Sequence, residues 1–311
     1  MDNNFESKPN PDILICIPAY NAESSISEAV LNCKKYSSNV IVIDDGSIDK
    51  TAELAINAGA EVITHKSNRG YGGAIKSCLE EGLRRNSKVT ITFDADLQHD
   101  SNDIPKLVRP IQNKSAEIVI GSRFLNDNND VKKYRKFGIK IITNLVNLFF
   151  KNKVKDAESG LRAYSLDSLK AIVSSLETDG MGMSAEILLR ASVNKLKIIE
   201  VPRIEMYPDK IQTSTKNPIF HGLSVIVTIF KLIIETKPLL SFGIPSLFFF
   251  IISIFCGYFV IDYYNEVGRL PLGLTLFTLL IISIAFFLFL ASMILYILSR
   301  ISYRINFNAK R

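Results

Sequence analysis

Metal-binding side chains are scarce in this chain. Its three histidines are scattered, and its four cysteines (Cys16, Cys33, Cys78 and Cys256) show no metal-ligand spacing. That pattern argues against a zinc site and reads the cysteines as reduced structural thiols. Charge is missing from two long stretches, Leu239 to Ile261 and Leu270 to Ser299. Each is long enough to cross a hydrocarbon core, which takes about 20 helical residues. The G-K-[ST] ending of a P-loop is absent, and so is G-x-G-x-x-G, which argues against a dinucleotide site. Before residue 235 no basic cluster is interleaved with aromatics, so the net charge of +6 does not point to nucleic acid. It fits work against anionic lipid instead. The opening MDNNFESKPNPD is polar and acidic and does not read as a signal peptide.

What is present before residue 235 alternates between strand and helix. DILICIPAY, NVIVIDDG, AEVITHK, KVTITFDAD and AEIVIGSRF read as strands. SSISEAVLNCKKY, DKTAELAINAG, GYGGAIKSCLEEGLRR and IPKLVRPIQNK read as the helices between them, the first with a capping box on Ser24 or Ser25 and Glu28. Short βα connections predict a doubly wound, mostly parallel sheet. Ligands of such a sheet bind beyond the carboxyl ends of its strands. IPAYN, DDGS, DAD and GSR each follow a strand, so all four should open onto one crevice.

Further along, FGIKIITNLVNLFF reads as an apolar helix suited to a membrane surface, and KIIEVPRIEMY as an edge-like strand. The expected organisation is a polar tail over 1–12, a catalytic domain over 13–218 and an amphipathic interfacial helix over 219–237. Spans over 238–262 and 270–299 and a basic tail over 300–311 complete it. The flanks carry Lys231, Lys237, Arg300, Arg304, Lys310 and Arg311, whereas the short connection carries Asp262, Glu266 and Arg269. The positive-inside rule then places the N-terminal domain and both termini in the cytoplasm.

FDADLQH, Phe93 to His99, closes a buried strand with two like charges one residue apart. Either this is a solvated strand end or a cation removes the repulsion. Asp94 and Asp96, with the Gln98 carbonyl, suit Mg2+ or Mn2+ bound to a diphosphate. In DDGS the carboxylates can accept hydrogen bonds from a nucleobase or ribose. Tyr20 offers a stacking face and Asn21 a two-way hydrogen bonder. NRGYGGA, Asn68 to Ala74, has the character of a phosphate-cradling helix start. Arg69 there either faces a diphosphate or is a plain loop arginine.

IPAYNAE, VIVIDDGS, NRGYGGA, FDADLQH, IVIGSRF and DAESGLRAY occur in this order. Together, over roughly Ile13 to Phe220, they resemble family 2 glycosyltransferases of GT-A fold, in the dolichyl-phosphate mannose synthase and polyprenyl-phosphate glycosyltransferase branch. The resemblance implies a nucleotide-sugar site of Pro18, Tyr20, Asn21, Glu23, Asp44, Asp45, Gly46, Arg69, Gly70, Asp94, Ala95 and Arg123. It implies Asp94, Asp96 and Gln98 on the metal, and Asp96, Arg123, Arg135, Asp156, Ser159 and Arg162 as the catalytic set. Arg135, Lys210, Ser214 and Lys216 become candidates for the acceptor phosphate. Two departures stand out: Ala22 separates Asn21 from Glu23, and the late acceptor stretch reads KIQTSTKN.

The expected reaction is inverting transfer of a hexose from a UDP- or GDP-sugar to a polyprenyl or dolichyl phosphate. That phosphate is already anionic near neutral pH, its second pKa being about 6, so no strong base is required. Asp96 therefore reads as a metal ligand rather than a base. Transfer to a growing glycan is the competing reading. Processive relatives usually carry Q-x-x-R-W, and this chain has no tryptophan. A non-catalytic component of an export complex is the alternative from another class. A homo-oligomer through the hairpins is left open.

Overall fold

In the computed structural model, the described residues are 9–125, 133–148, 153–204, 225–231, 233–234 and 237–308, with 133, 134 and 302–308 described by backbone alone. The chain divides into two compact units, Met1–Ile229 and Phe230–Arg311.

The first unit is built on seven strands: β1 (Ile13–Ala19), β2 (Asn39–Asp44), β3 (Glu61–Thr64), β4 (Val89–Thr92), β5 (Ile118–Ser122), β6 (Arg162–Ser165) and β7 (Ile198–Pro202). Their order is β3-β2-β1-β4-β6-β5-β7, which puts β7 at an edge as expected. All pairings are parallel except those of β6, which runs antiparallel to both β4 and β5. The doubly wound expectation holds, with this one reversal.

β1 explains the layering. Every residue of ILICIPA is buried, as in a strand covered on both faces. Ile13, Ile15 and Ile17 enter one core with α1 (Ile26–Lys34) and residues of α4 (Ile104–Gln112). Leu14 and Cys16 enter a smaller core on the other face with Ala74 and Cys78 of α3 (Gly70–Arg84). The alternation follows from the two-residue period of a strand. The remaining helices are α2 (Thr51–Asn57), α5 (Lys133–Asn147), α6 (Leu166–Ile172), α7 (Met183–Val193) and α8 (225–231). Ser25 is the N-cap of α1, but its hydroxyl donates back to the Ala22 carbonyl and the expected capping box does not form.

α5 has two faces. Ile139, Ile142 and Val146 are buried, while Phe137 and Ile141 are exposed beside Lys136 and Lys140, as is Leu148 just past the helix end. α8 repeats the pattern, with Val225 and Ile229 buried and Val227 and Phe230 exposed. Residues 219–224 of the expected interfacial helix lie outside the described residues.

The second unit holds α9 (Ile244–Val267), entered through a π-helical turn at Leu239–Gly243, and α10 (Leu272–Asn308). Leu239–Val267 and Leu272–Ile301 are long and apolar enough to cross a membrane. Ser246 donates to the Ala285 carbonyl between them at 2.8 Å. The helices overrun the boundaries expected from charge. α9 continues past Asp262 until Gly268 stops it in a left-handed conformation, and α10 runs through the basic segment to Asn308. Charged residues end an apolar stretch without ending a helix.

Candidate active site

The parallel strands deliver their carboxyl ends to one edge of the sheet. Tyr20, Asp44, Asp94 and Arg123 stand at or just beyond the ends of β1, β2, β4 and β5, as expected. The antiparallel β6 brings its amino end to the same edge, because Arg162 is in register with Thr92 and with Ile120. Segment Asp156–Leu161 therefore lies at the tip of β4.

The acidic turn begins after Thr92, where β4 ends. Leu97 adopts a left-handed conformation (φ +59°), and the Gln98 N–H donates to Asp96 Oδ1 at 3.0 Å. The turn folds back on itself and places Leu97 and the side chain of Ala95, expected on the nucleotide sugar, in the core. Asp94 Oδ2 accepts from His99 Nε2 at 2.8 Å. Asp94 Oδ1 is buried without a hydrogen-bond partner. Burial opposes ionisation of Asp94, but His99, Arg203 and Arg123 outweigh it and hold the carboxyl below its usual range. Burial and the Asp94 charge push Asp96 the other way. Among the described residues no three His, Cys, Asp or Glu side chains cluster as a metal site. Two carboxylates, the buried Gln98 and an orphaned carboxylate oxygen nevertheless suit a hard divalent cation that takes its other ligands from a diphosphate.

The neighbouring motifs use their polar groups internally. Arg123 is buried and bidentate to Asp156, with Nε on Oδ2 and Nη2 on Oδ1, both at 2.7 Å. Its backbone N–H joins the same carboxylate at 3.1 Å. Arg162 donates to the carbonyls of Ser159 (2.8 Å), Ser184 (2.9 Å) and Ala157 (2.7 Å). Ser159 Oγ donates to the Gly121 carbonyl at 2.6 Å. Asp156, Ser159 and Arg162, expected near sugar and acceptor, thus make internal bonds that brace their own loop. Gly160 is the point of contact with the acidic turn. A Cβ there would collide with Asp94 Oδ2 and come within 2.8 Å of the Tyr71 hydroxyl. Glu158, given no role by its sequence, has its carboxyl pushed by burial up to about 7, against the pull of Arg162 and Arg123.

The glycine loop is also occupied from within. Asp45 accepts from the N–H groups of Arg69 (2.9 Å) and Gly70 (2.8 Å) at the start of α3. An internal carboxylate takes the place expected for a phosphate. The glycines instead admit another segment. A Cβ on Gly72 would collide with the Gly180 carbonyl, and one on Gly70, at φ +82°, would stand 2.8 Å from the Asp179 carbonyl. His65 Nδ1 donates to Asp45 (2.6 Å), and its Nε2 lies at hydrogen-bond distance from Ser77 Oγ (2.9 Å). The order is that of a serine hydrolase, but all three side chains are nearly buried and Asp45 is already tied to α3. This is a strut, not a nucleophile.

The first two loops hold the other residues expected on the nucleotide sugar, with Asp44 buried among them. Tyr20 is half exposed and Pro18 is buried beneath it. Asn21, at φ +50°, donates from its backbone to Ser47 Oγ (2.9 Å) and accepts from the Ile48 N–H (3.0 Å). The Glu23 carboxylate accepts from the Lys50 N–H at 3.3 Å, and Asp44 Oδ1 accepts from the Ser47 N–H at 3.1 Å. Gly46, at φ +73°, lets the DDGS turn pass Asn68. Arg135 is exposed on α5. Lys210, Ser214 and Lys216 lie outside the described residues. Arg203, unmarked by any sequence motif, enters from the end of β7 and donates to His99 Nδ1 at 2.8 Å.

Residues 14–173 match the family described as glycosyl transferase family 2. The chain belongs to that family. This glycosyltransferase is 34% identical over 220 residues to the UDP-N-acetylglucosamine–dolichyl-phosphate N-acetylglucosaminyltransferase of Methanococcus voltae, covering 63% of this chain and 86% of that one. It is 30% identical over 200 residues to the undecaprenyl-phosphate mannosyltransferase of Micrococcus luteus, covering 61% and 82%. Among solved structures it is similar to glucosyl-3-phosphoglycerate synthase from Mycobacterium tuberculosis, crystallised with Mn2+ and UDP. The TM-score is 0.56 at 19% identity, covering 71% of this glycosyltransferase and 79% of that chain. That likeness establishes the GT-A-like fold.

Proposed function

We propose that this glycosyltransferase moves a hexose or N-acetylhexosamine from a nucleoside diphosphate sugar to a polyprenyl phosphate of the dolichyl type. The product is a lipid-linked monosaccharide for glycan assembly. The observation that carries the reading is the acidic turn at Asp94–Gln98, with its orphaned Asp94 oxygen, in a chain that also bears two apolar helices of membrane-spanning length. The names of the two relatives support it, one acting on dolichyl and one on undecaprenyl phosphate.

Asp94, Asp96 and Gln98 would hold Mg2+ or Mn2+, which supplies charge neutralisation for the leaving diphosphate. The chain's own groups do the rest. Tyr20, Asn21 and Asp44 face the nucleoside, and Arg123 acts through Asp156 and through its field on Asp94. Arg135 and the late stretch with Lys210, Ser214 and Lys216 receive the acceptor phosphate. An acceptor oxygen already anionic near neutral pH attacks the anomeric carbon in line, inverts it and needs no deprotonation. The catalytic unit works at the cytoplasmic face, where the exposed apolar residues and lysines of α5 meet anionic lipid.

The test offers radiolabelled UDP-glucose, UDP-N-acetylglucosamine and GDP-mannose, each with dolichyl phosphate and Mn2+, to the purified full chain in detergent. Label from one donor should enter the organic phase and be lost with EDTA. Nucleotide binding without organic-phase label from any donor would replace the lipid acceptor with a glycan.

A further inference from the structure

Arg203 and His99 have no role in the reading above, yet both are buried against the acidic turn. Arg203 Nη1 donates to His99 Nδ1 at 2.8 Å and approaches the Gln98 carbonyl at 3.5 Å. Because guanidinium only donates, Nδ1 must be the acceptor. The ring hydrogen then sits on Nε2, which donates to Asp94 Oδ2 at 2.8 Å. Arg203 on one side and the Asp94 carboxylate on the other require the same tautomer.

Three further contacts fix the pair. Phe93 meets the His99 ring edge-on, with centroids 5.4 Å apart. The Arg203 N–H is anchored on the Ser122 carbonyl at 3.1 Å, and the next N–H, of Ile204, on Asp103 at 3.2 Å. Gly121 clears the path of the arginine stem. A Cβ at that position would stand 3.2 Å from Arg203 Cδ and 3.1 Å from Leu161 Cδ2. Gly121 of β5 thus has a use beyond its own strand, admitting the arginine stem.

A network that served packing alone would satisfy the whole carboxylate. This one binds Oδ2 and leaves Oδ1 buried and without a partner. We propose that Arg203 and His99 are positioning residues: they lock the carboxylate of Asp94 through Oδ2 and so present Oδ1 to the divalent cation. The inference rests on the cation reading of the acidic turn. Outer hydrogen-bond partners of a ligand typically change metal affinity about 10–100-fold when removed.

The readout is Mn2+ alone, titrated by electron paramagnetic resonance into the full chain in detergent, beside a thermal unfolding curve. His99→Phe and Arg203→Met should each weaken Mn2+ binding about 10–100-fold while unfolding moves by a few degrees. His99→Gln can still accept from Arg203 and donate to Asp94, and should recover most of the affinity. Arg203→Lys keeps a donor and covers the case in which Arg203→Met does not fold. Wild-type Mn2+ affinity in His99→Phe or Arg203→Met would overturn the proposal even if transfer activity fell. A wild-type chain that binds no Mn2+ would remove the cation reading first, and this inference with it.

Discussion

The turn Asp94–Gln98 and the segment Asp156–Arg162 meet at the end of β4, where Gly160 touches Asp94. Both are acidic, both follow the family's pattern, and both looked chemical from the sequence. In the first, a carboxylate oxygen is left buried and unmatched, and the Asp96 carboxyl is pushed up by burial and by its neighbour's charge. In the second, the side chains of Asp156, Ser159 and Arg162 are tied into the fold by Arg123 and by backbone carbonyls. A ligand site must keep some polar groups unsatisfied, whereas a brace must not. Under the proposed function, the difference sets the cation-holding turn apart from the segment that braces it.

The largest effect expected from breaking this comparison is on turnover. Asp96→Asn should lower transfer on the order of 10³-fold, the scale of a lost electrostatic contact to a leaving group. Its melting temperature should hold or rise, because a repulsive charge is gone. Near-normal transfer would contradict the metal assignment.

Asp156→Asn should act on the fold instead. It leaves the buried Arg123 without its carboxylate, at a cost of about 3–5 kcal/mol. For a domain of this size that is roughly 10 °C in melting temperature. Burial opposes ionisation of Asp156, but Arg123 outweighs it and holds the carboxyl low. The pair's stabilisation is thus complete above the ordinary carboxylate pKa and is lost as pH falls through the depressed value. The deficit of the variant should shrink in acid, as measured by thermal unfolding across pH.

Glu158 gives the opposite sign. Its folded value of about 7 lies above the ordinary 4.5, so ionisation destabilises the fold as pH rises between the two. Glu158→Gln should raise stability at pH 8 by at most about 3 kcal/mol and change little at pH 4. A gain that does not depend on pH would contradict the account of this carboxyl.

Gly72→Ala is the smallest change. Its Cβ has no space against the Gly180 carbonyl, and the overpacking should cost about 1–3 kcal/mol. A neutral outcome, read by the same melts, would return the glycine loop to a phosphate-binding role.

Much of this frame was legible because apolar runs end in polar residues at a steady spacing. Tyr20, Asp44, Asp94 and Arg123 converge for that reason. The reversal of β6 was not legible, since RAYS carries no sign of direction, and the reversal is what brings Asp156–Leu161 to the tip of β4. Nor was the packing of Gly70 and Gly72, which face Asp179 and Gly180 more than a hundred residues on. A glycine-rich helix start looks the same whether it admits a phosphate or a backbone. Arg203 had one faint signal: an arginine directly after a strand, as Arg123 is after β5.

The contrast between the two segments is tested most directly by Mn2+ binding to four full-length proteins: wild type, Asp94→Asn, Asp96→Asn and Asp156→Asn. Binding should survive in wild type and in folded Asp156→Asn and be lost in the two turn variants. Equal Mn2+ affinity in wild type and Asp96→Asn would contradict the claim that this turn is where the cation and the donor diphosphate are held.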